Sequence, residues 1–119
     1  MRILIVDDEV FAADILARLL RAGGHEVVVA YDGTAGIVVG VAGHFDVAVL
    51  DLGLGDTDGY DVAKALRAHH GIGLRLIAYT GFSGPEVEQR GRDSGFDRII
   101  VKPAPVDRIL AAFPKNDGG

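Results

Sequence analysis

The fold is decided by Val47-Ala-Val-Leu-Asp-Leu-Gly-Leu-Gly-Asp-Thr-Asp-Gly-Tyr60, in which a fully apolar run ends on a single carboxylate, Asp51. Four apolar residues between Asp46 and Asp51 are typical of a strand buried on both faces, as in a parallel sheet covered by helices. Asp51 then lies at the carboxyl end of that strand, where ligands and reacting groups gather in open α/β sheets. The glycine- and aspartate-rich residues 53–59 predict a loop.

Apolar runs alternate with longer helical stretches on both sides of this strand. The other predicted strands are residues 3–6, 27–30, 74–78 and 98–101. Strands that alternate with helices imply a parallel sheet with right-handed crossovers and helices on both faces. The usual strand order for such a chain is 2-1-3-4-5. We therefore predict a doubly wound α/β fold with five strands in that order, as one domain over residues 1–119.

The first and second helices carry more specific expectations. In the first helix, apolar residues at spacings of three and four predict one buried stripe. That stripe comprises Phe11, Ile15, Leu16, Leu19 and Leu20. The second helix, residues 34–43, is predicted mainly from its context, because its glycines and β-branched residues lower helix propensity.

Composition and charge narrow the class of protein. The chain has 119 residues, of which 49% are hydrophobic and 24% charged, as in an ordinary globular domain. It has no Cys, which excludes disulfides and thiolate chemistry. The apolar amino terminus meets Asp7 too soon for a signal peptide or a membrane span, so we expect a soluble, cytoplasmic protein. The net charge of −5 and the scattered arginines argue against a nucleic-acid surface.

Polar residues from distant parts of the sequence follow the predicted strands at one edge of the sheet. Asp7 and Asp8 follow the first strand, Thr80 the fourth and Lys102 the fifth, so all of them join Asp51 there. Clustered carboxylates repel one another unless a cation compensates. Oxygen ligands suit a hard ion such as Mg²⁺, which commonly binds one or two carboxylates together with a phosphoryl oxygen.

Phosphoryl transfer is therefore the chemistry that this cluster favours. Asp51 is the candidate nucleophile, because a carboxylate can form an acyl phosphate. Lys102 offers a positive charge to phosphoryl oxygens, and Thr80 offers a hydroxyl donor. Taken singly, these residues have simpler interpretations: Asp8 is also a candidate cap for the first helix, and Asp56 and Asp58 are interpreted as turn and cap residues.

Several short motifs, each at the end of a predicted strand, together resemble the receiver domains of two-component response regulators. They are Ile5-Val-Asp-Asp-Glu9, Val49-Leu-Asp-Leu52 followed by Asp58-Gly59, Thr80-Gly81, and Gly95-Phe-Asp97 followed by Lys102-Pro103. The resemblance spans nearly the whole chain and is strongest to receivers of hybrid sensor kinases and to single-domain regulators. It implies the flavodoxin-like fold.

The resemblance also implies a function. Asp51 would accept a phosphoryl group from a phosphohistidine on a histidine kinase or a phosphotransfer protein, Thr80 would move toward it and Lys102 would pair with it. The implied Mg²⁺ ligands are Asp7, Asp8, Asp51 and the backbone carbonyl of Gly53. The Lys102-Pro103 bond would be cis. Such a domain is a signalling switch that catalyses only its own phosphorylation and dephosphorylation, with an unknown downstream protein, as a monomer or weak dimer.

Departures from the family pattern keep another function open. Gly55 stands where the family often has Pro, which predicts a more mobile loop. Ile99 stands where the family usually has Tyr or Phe, whose inward rotation accompanies activation. The alternative is a receiver-like interaction scaffold that works without phosphorylation.

Two further functions on the same fold fit the sequence less well. A flavin or nucleotide module presents backbone amides to phosphate after the first strand, whereas Asp7-Asp8-Glu9 repels phosphate unless a metal intervenes. A Mg²⁺-dependent phosphatase or phosphotransferase usually places its nucleophile there with a second Asp two residues later. Asp7-Asp8 has the wrong spacing for that arrangement.

Overall fold

Five parallel strands form one sheet in the computed structural model, which describes residues 1–114. The strands are β1 (Arg2–Val6), β2 (Glu26–Ala30), β3 (Val47–Leu50), β4 (Arg75–Thr80) and β5 (Arg98–Val101). The helices are α1 (Val10–Ala22), α2 (Gly33–Ala42), α3 (Gly59–His70), α4 (Pro85–Ser94) and α5 (Val106–Ala111), with a short 3₁₀ turn at Gly71–Gly73. The order is β2-β1-β3-β4-β5, which confirms the predicted fold class.

Alternating residues of the central strands supply an apolar layer on each face of the sheet. In β1, Ile3 and Ile5 pack with α1 and α5, whereas Leu4 and Val6 pack with α2 and α3. All residues of β3 are at most 2% exposed. This two-sided burial explains why β1 and β3 contain continuous apolar runs and end where the first carboxylate appears.

Helix α1 buries a different stripe from the predicted one. Its buried residues are Ala13, Leu16, Ala17 and Leu20. The prediction is wrong for Phe11, Ile15 and Leu19, which are 87%, 58% and 51% exposed. Both sets repeat at helical spacing. The small residues Ala13 and Ala17 occupy positions that face the sheet. Phe11, Ile15 and Leu19 form an exposed ridge, in which successive residues lie about one helical turn apart.

Helix α2 forms despite its low propensity because its glycines allow close packing. A Cβ atom on Gly36 would lie 2.8 Å from the side chain of Val6, and one on Gly40 would overlap Leu66. Asp32 caps the helix by accepting a hydrogen bond from the backbone N–H of Ala35 at 2.7 Å. The start of α2 therefore lies against the end of β1, one residue before Asp7.

Helix α4 approaches β5 through a glycine. Its buried residues are Gly91 and Ser94, and a Cβ on Gly91 would overlap the Cδ1 atom of Ile99. Ile99 is half-buried and packs on the apolar layer that also contains Phe96. The branched side chain that replaces the family's usual aromatic residue is thus packed inward against α4.

Gly91→Ala is expected to destabilise the domain by about 1 kcal/mol, because added core volume costs about 1–3 kcal/mol. This is the reverse of the usual effect, since Ala in a helix interior is about 1 kcal/mol more favourable than Gly. Urea unfolding of the two proteins measures the difference. Ile99→Val removes the overlapped Cδ1 atom, so the double variant should recover part of the loss. If Gly91→Ala is as stable as the wild type, the packing of α4 does not depend on the close contact between Gly91 and Ile99.

Candidate functional site

The register of the sheet brings Asp7 and Asp51 to the same level. Val6 pairs with Leu50 across β1 and β3, so the next residue of each strand is a carboxylate at the carboxyl edge. The backbone N–H of Asp51 donates to the carbonyl of Val6 at 2.9 Å, which continues the ladder up to the site. Residues that are far apart in the sequence thus become neighbours through strand pairing alone.

Asp7, Asp8 and Asp51 form a compact carboxylate cluster. One oxygen from each residue lies within 4.8 Å of the others. Asp7 and Asp51 are only 5% and 8% exposed, whereas Asp8 is exposed. The donor set consists of oxygen atoms alone, and it fits a hard divalent cation that retains some of its water.

Lys102 lies between the two buried carboxylates. Its Nζ atom is 2.8 Å from Oδ2 of Asp7 and 3.1 Å from Oδ2 of Asp51. The lysine side chain is itself only 17% exposed. Its backbone N–H donates to the carbonyl of Thr80 at 2.7 Å, and the following peptide bond to Pro103 is cis, as the resemblance implied.

Burial and ion pairing shift the pKa values of Asp7 and Lys102 in opposite directions. Burial raises the pKa of Asp7 above its ordinary value, although the hydrogen bond from Lys102 acts to lower it. Burial alone would lower the pKa of Lys102, but its hydrogen bonds and attraction to Asp7 and Asp51 together raise it. Lys102 therefore stays charged and holds together carboxylates that would otherwise repel each other.

Thr80 is the last residue of β4, two residues beyond the predicted end of that strand. It is fully buried, and its hydroxyl oxygen accepts a hydrogen bond from the backbone N–H of Phe82 at 3.3 Å. Its strand is the direct neighbour of β3, which carries Asp51. The structure thus places the predicted hydroxyl group on the same edge of the sheet as the carboxylates.

Two glycines shape the loop that follows Asp51. The backbone N–H of Gly53 donates to Oδ1 of Asp51 at 3.1 Å, and a Cβ on Gly53 would lie 2.8 Å from the ring of Phe82. Gly59 begins α3 so close to β3 that a Cβ there would overlap the carbonyl oxygen of Asp51. The glycine of the Asp58-Gly59 motif is therefore required by the approach of α3 to the site.

Asp58 and Asp56 have structural roles outside the carboxylate cluster, and the role of Asp56 was not predicted from the sequence. Asp58 caps α3 through the N–H of Tyr60 at 2.8 Å, as predicted, and also pairs with Arg90 at 2.7 Å. Asp8 does not cap α1, whose N-cap residue is Glu9 without a side-chain hydrogen bond. Asp56, predicted as a turn residue, binds the start of α2, and no signal in the sequence indicates that long-range contact.

The family model of the response regulator receiver domain matches residues 3–114. The chain belongs to this family. Receiver domains are signalling domains of two-component systems rather than conventional enzymes. Within residues 1–114, none of the helices has the length and apolar character needed to cross a bilayer.

Solved receiver domains share the architecture. A CheY-like receiver domain protein from Methanospirillum hungatei has a TM-score of 0.88 and 28% identity, covering 92% of this chain and 87% of its own. A response regulator from Burkholderia pseudomallei, solved with a phosphorylated aspartic acid, a calcium ion and citrate, has a TM-score of 0.90 and 29% identity. That match covers 97% of this chain and 67% of the other.

The curated relatives are longer proteins. The transcriptional regulatory protein DltR of Streptococcus agalactiae is 34% identical over 111 residues, which are 93% of this chain and 49% of that protein. CusR of Escherichia coli is 31% identical over 111 residues, 48% of its length. The receiver domain thus spans about half the length of the curated relatives that it matches.

Proposed function

We propose that this receiver domain, taken as residues 1–119, accepts a phosphoryl group on Asp51 from a phosphohistidine of a histidine kinase or phosphotransfer protein. The observation that supports this proposal is the arrangement around Asp51. Its carboxylate lies within 4.8 Å of those of Asp7 and Asp8 and 3.1 Å from the amine of Lys102. A cytoplasmic location, typical of the family, belongs to the same proposal.

Asp7, Asp8, Asp51 and the backbone carbonyl of Gly53 are the proposed Mg²⁺ ligands. The carboxylate cluster supports this assignment, because its donors are oxygen atoms only and two of its residues are nearly buried. A bound Mg²⁺ supplies neutralisation of the charge on the phosphoryl oxygens. The Lys102 amine is not among these proposed ligands, so it remains in the site as a positive charge supplied by the protein.

The proposed step is a displacement at phosphorus. An oxygen of Asp51 attacks, the bond between phosphorus and the histidine nitrogen breaks, and the imidazole leaves with the electron pair. Lys102 exchanges its contact with the Asp51 carboxylate for one with a phosphoryl oxygen, and the Thr80 hydroxyl donates to another. These changes would pass to a downstream protein through the face formed by α4, β5 and α5.

Ile99 favours a second function, the scaffold that works without phosphorylation. Because residue 99 is Ile, there is no aromatic ring at this position to rotate on activation. The Ile99 side chain already packs inward against Gly91. If α4 does not respond to the site, the domain would present one constant surface to its partner. The two proposals differ in whether the α4 face changes when Asp51 is modified.

A two-dimensional amide NMR titration separates these functions. Mg²⁺ should first shift the amides of Asp7, Asp8, Asp51 and Gly53. Beryllium fluoride, a phosphoryl mimic, should then shift Thr80, Lys102 and α4. Metal binding without a response of α4 to the mimic would support the scaffold, and no response to either would rule out the phosphoacceptor function.

A further inference from the structure

The loop that follows Asp51 is tied to a distant helix by one carboxylate. Asp56 accepts hydrogen bonds from the backbone N–H groups of Gly33 at 2.8 Å and Thr34 at 3.0 Å, and from the hydroxyl of Thr34 at 2.8 Å. Both partners belong to the first turn of α2. The contact therefore joins the loop between β3 and α3 to a helix that precedes it by more than twenty residues.

This contact is additional to the ordinary cap of α2. Asp32 already satisfies the N–H of Ala35, and Asp56 takes the two N–H groups before it. Free N–H groups and the helix dipole favour a negative charge at this end of a helix. The hydrogen bonds from Thr34 and Gly33 lower the pKa of Asp56 to about 2, so the carboxylate is charged at neutral pH.

The same loop borders the carboxylate cluster. A Cβ on Gly55 would lie 3.7 Å from Oδ2 of Asp8, and one on Gly53 would lie 2.8 Å from the ring of Phe82. Leu54 is 8% exposed and holds the middle of the loop in the core. The residues on either side of Leu54 are glycines, which by themselves leave the backbone free to adopt several conformations.

The geometry points to Asp56 as a positioning residue of the phosphoacceptor site. Asp56 fixes the loop of residues 53–57 against α2, and the loop in turn sets the positions of the Gly53 carbonyl and of Gly55 beside Asp8. This inference rests on the proposed Mg²⁺ site. The hydrogen bonds of Asp56 restrict the loop in the way that a proline at the position of Gly55 would. The start of α2 thus becomes part of the support of the site.

The test compares Asp56→Ala with Asp32→Ala in a Mg²⁺ titration that is monitored by amide NMR. The temperature is one at which both variants are fully folded. Each variant removes one carboxylate from the start of α2, but only Asp56→Ala frees the loop. We expect Asp56→Ala to weaken Mg²⁺ binding about 10-fold, the lower end of the effect of losing a residue that orients a metal ligand. Asp32→Ala should keep the wild-type Mg²⁺ affinity, and Asp56→Asn, which retains an acceptor oxygen, should lie in between.

A second readout reports the loop without metal. In Asp56→Ala the amide hydrogen of Gly53, which is donated to Oδ1 of Asp51, should exchange faster than in the wild type, whereas in Asp32→Ala it should not. Wild-type Mg²⁺ affinity in Asp56→Ala, or equal weakening in both variants, would overturn the inference and leave the proposed function intact. Absence of Mg²⁺ binding by the wild type would overturn the proposed function and the inference together.

Discussion

Asp51→Asn is expected to abolish phosphorylation of the domain. The side-chain amide has no anionic oxygen to attack phosphorus and cannot form a stable acyl phosphate, whereas the neighbouring backbone geometry stays the same. Incubation with acetyl phosphate and Mg²⁺, followed by intact-protein mass spectrometry, measures the result directly. The wild type should gain one phosphoryl group per chain, and Asp51→Asn should gain none.

The control for this experiment is Asp61→Asn, which makes the same chemical change at an exposed position in the first turn of α3. It should be phosphorylated like the wild type. Asp51→Asn should also be at least as stable as the wild type, because it removes one of the clustered negative charges. Phosphorylation of Asp51→Asn would place the acceptor on another carboxylate, with Asp7 and Asp8 as the candidates.

The bounds of β3 and β5 could be predicted from the sequence, because each apolar run lies between charged residues. The central strand β3 is fully buried between Asp46 and Asp51. The edge strand β5 lies between Asp97 and Lys102, although Ile100 is its only buried residue. The approach of the carboxylates and Lys102 also follows from the strand order, because parallel strands bring their carboxyl ends to one edge. The placement of the site is thus a property of the sheet, and the roles of its residues stay predictions.

The details that escaped prediction depend on contacts between distant elements. The exposed ridge of Phe11, Ile15 and Leu19 has the same helical spacing as the buried stripe, so periodicity cannot tell which one faces the sheet. The contact of Asp56 with α2 is invisible in the sequence, because an acidic residue in a glycine-rich loop has the composition of an ordinary turn. Both become determined only when helices are placed on the sheet.

Lys102→Met is expected to lower the free energy of unfolding without Mg²⁺ by about 2 kcal/mol, because it leaves two buried carboxylates without their cation. The wild-type lysine amine lies 2.8 Å from Asp7 and 3.1 Å from Asp51, and methionine fills similar space without charge. Urea unfolding at pH 7 measures the loss. Lys64→Met, at an exposed position of α3, is the control and should change stability little.

The dependence on metal and pH distinguishes loss of charge from loss of packing in Lys102→Met. Mg²⁺ should restore much of the stability, because a cation again lies among the carboxylates. Acidification should narrow the difference in stability from the wild type as Asp7, whose pKa is raised by burial, becomes protonated. In the wild type, the raised pKa of Lys102 means that its contribution is complete below the ordinary lysine pKa of 10.5 and is lost as pH rises through the higher folded value. A loss of stability that is the same at every pH and unaffected by Mg²⁺ would instead show that the lysine acts through the packing of its aliphatic chain. The proposed Mg²⁺ site would then lack the electrostatic coupling to Lys102 on which the exchange of partners during phosphoryl transfer depends.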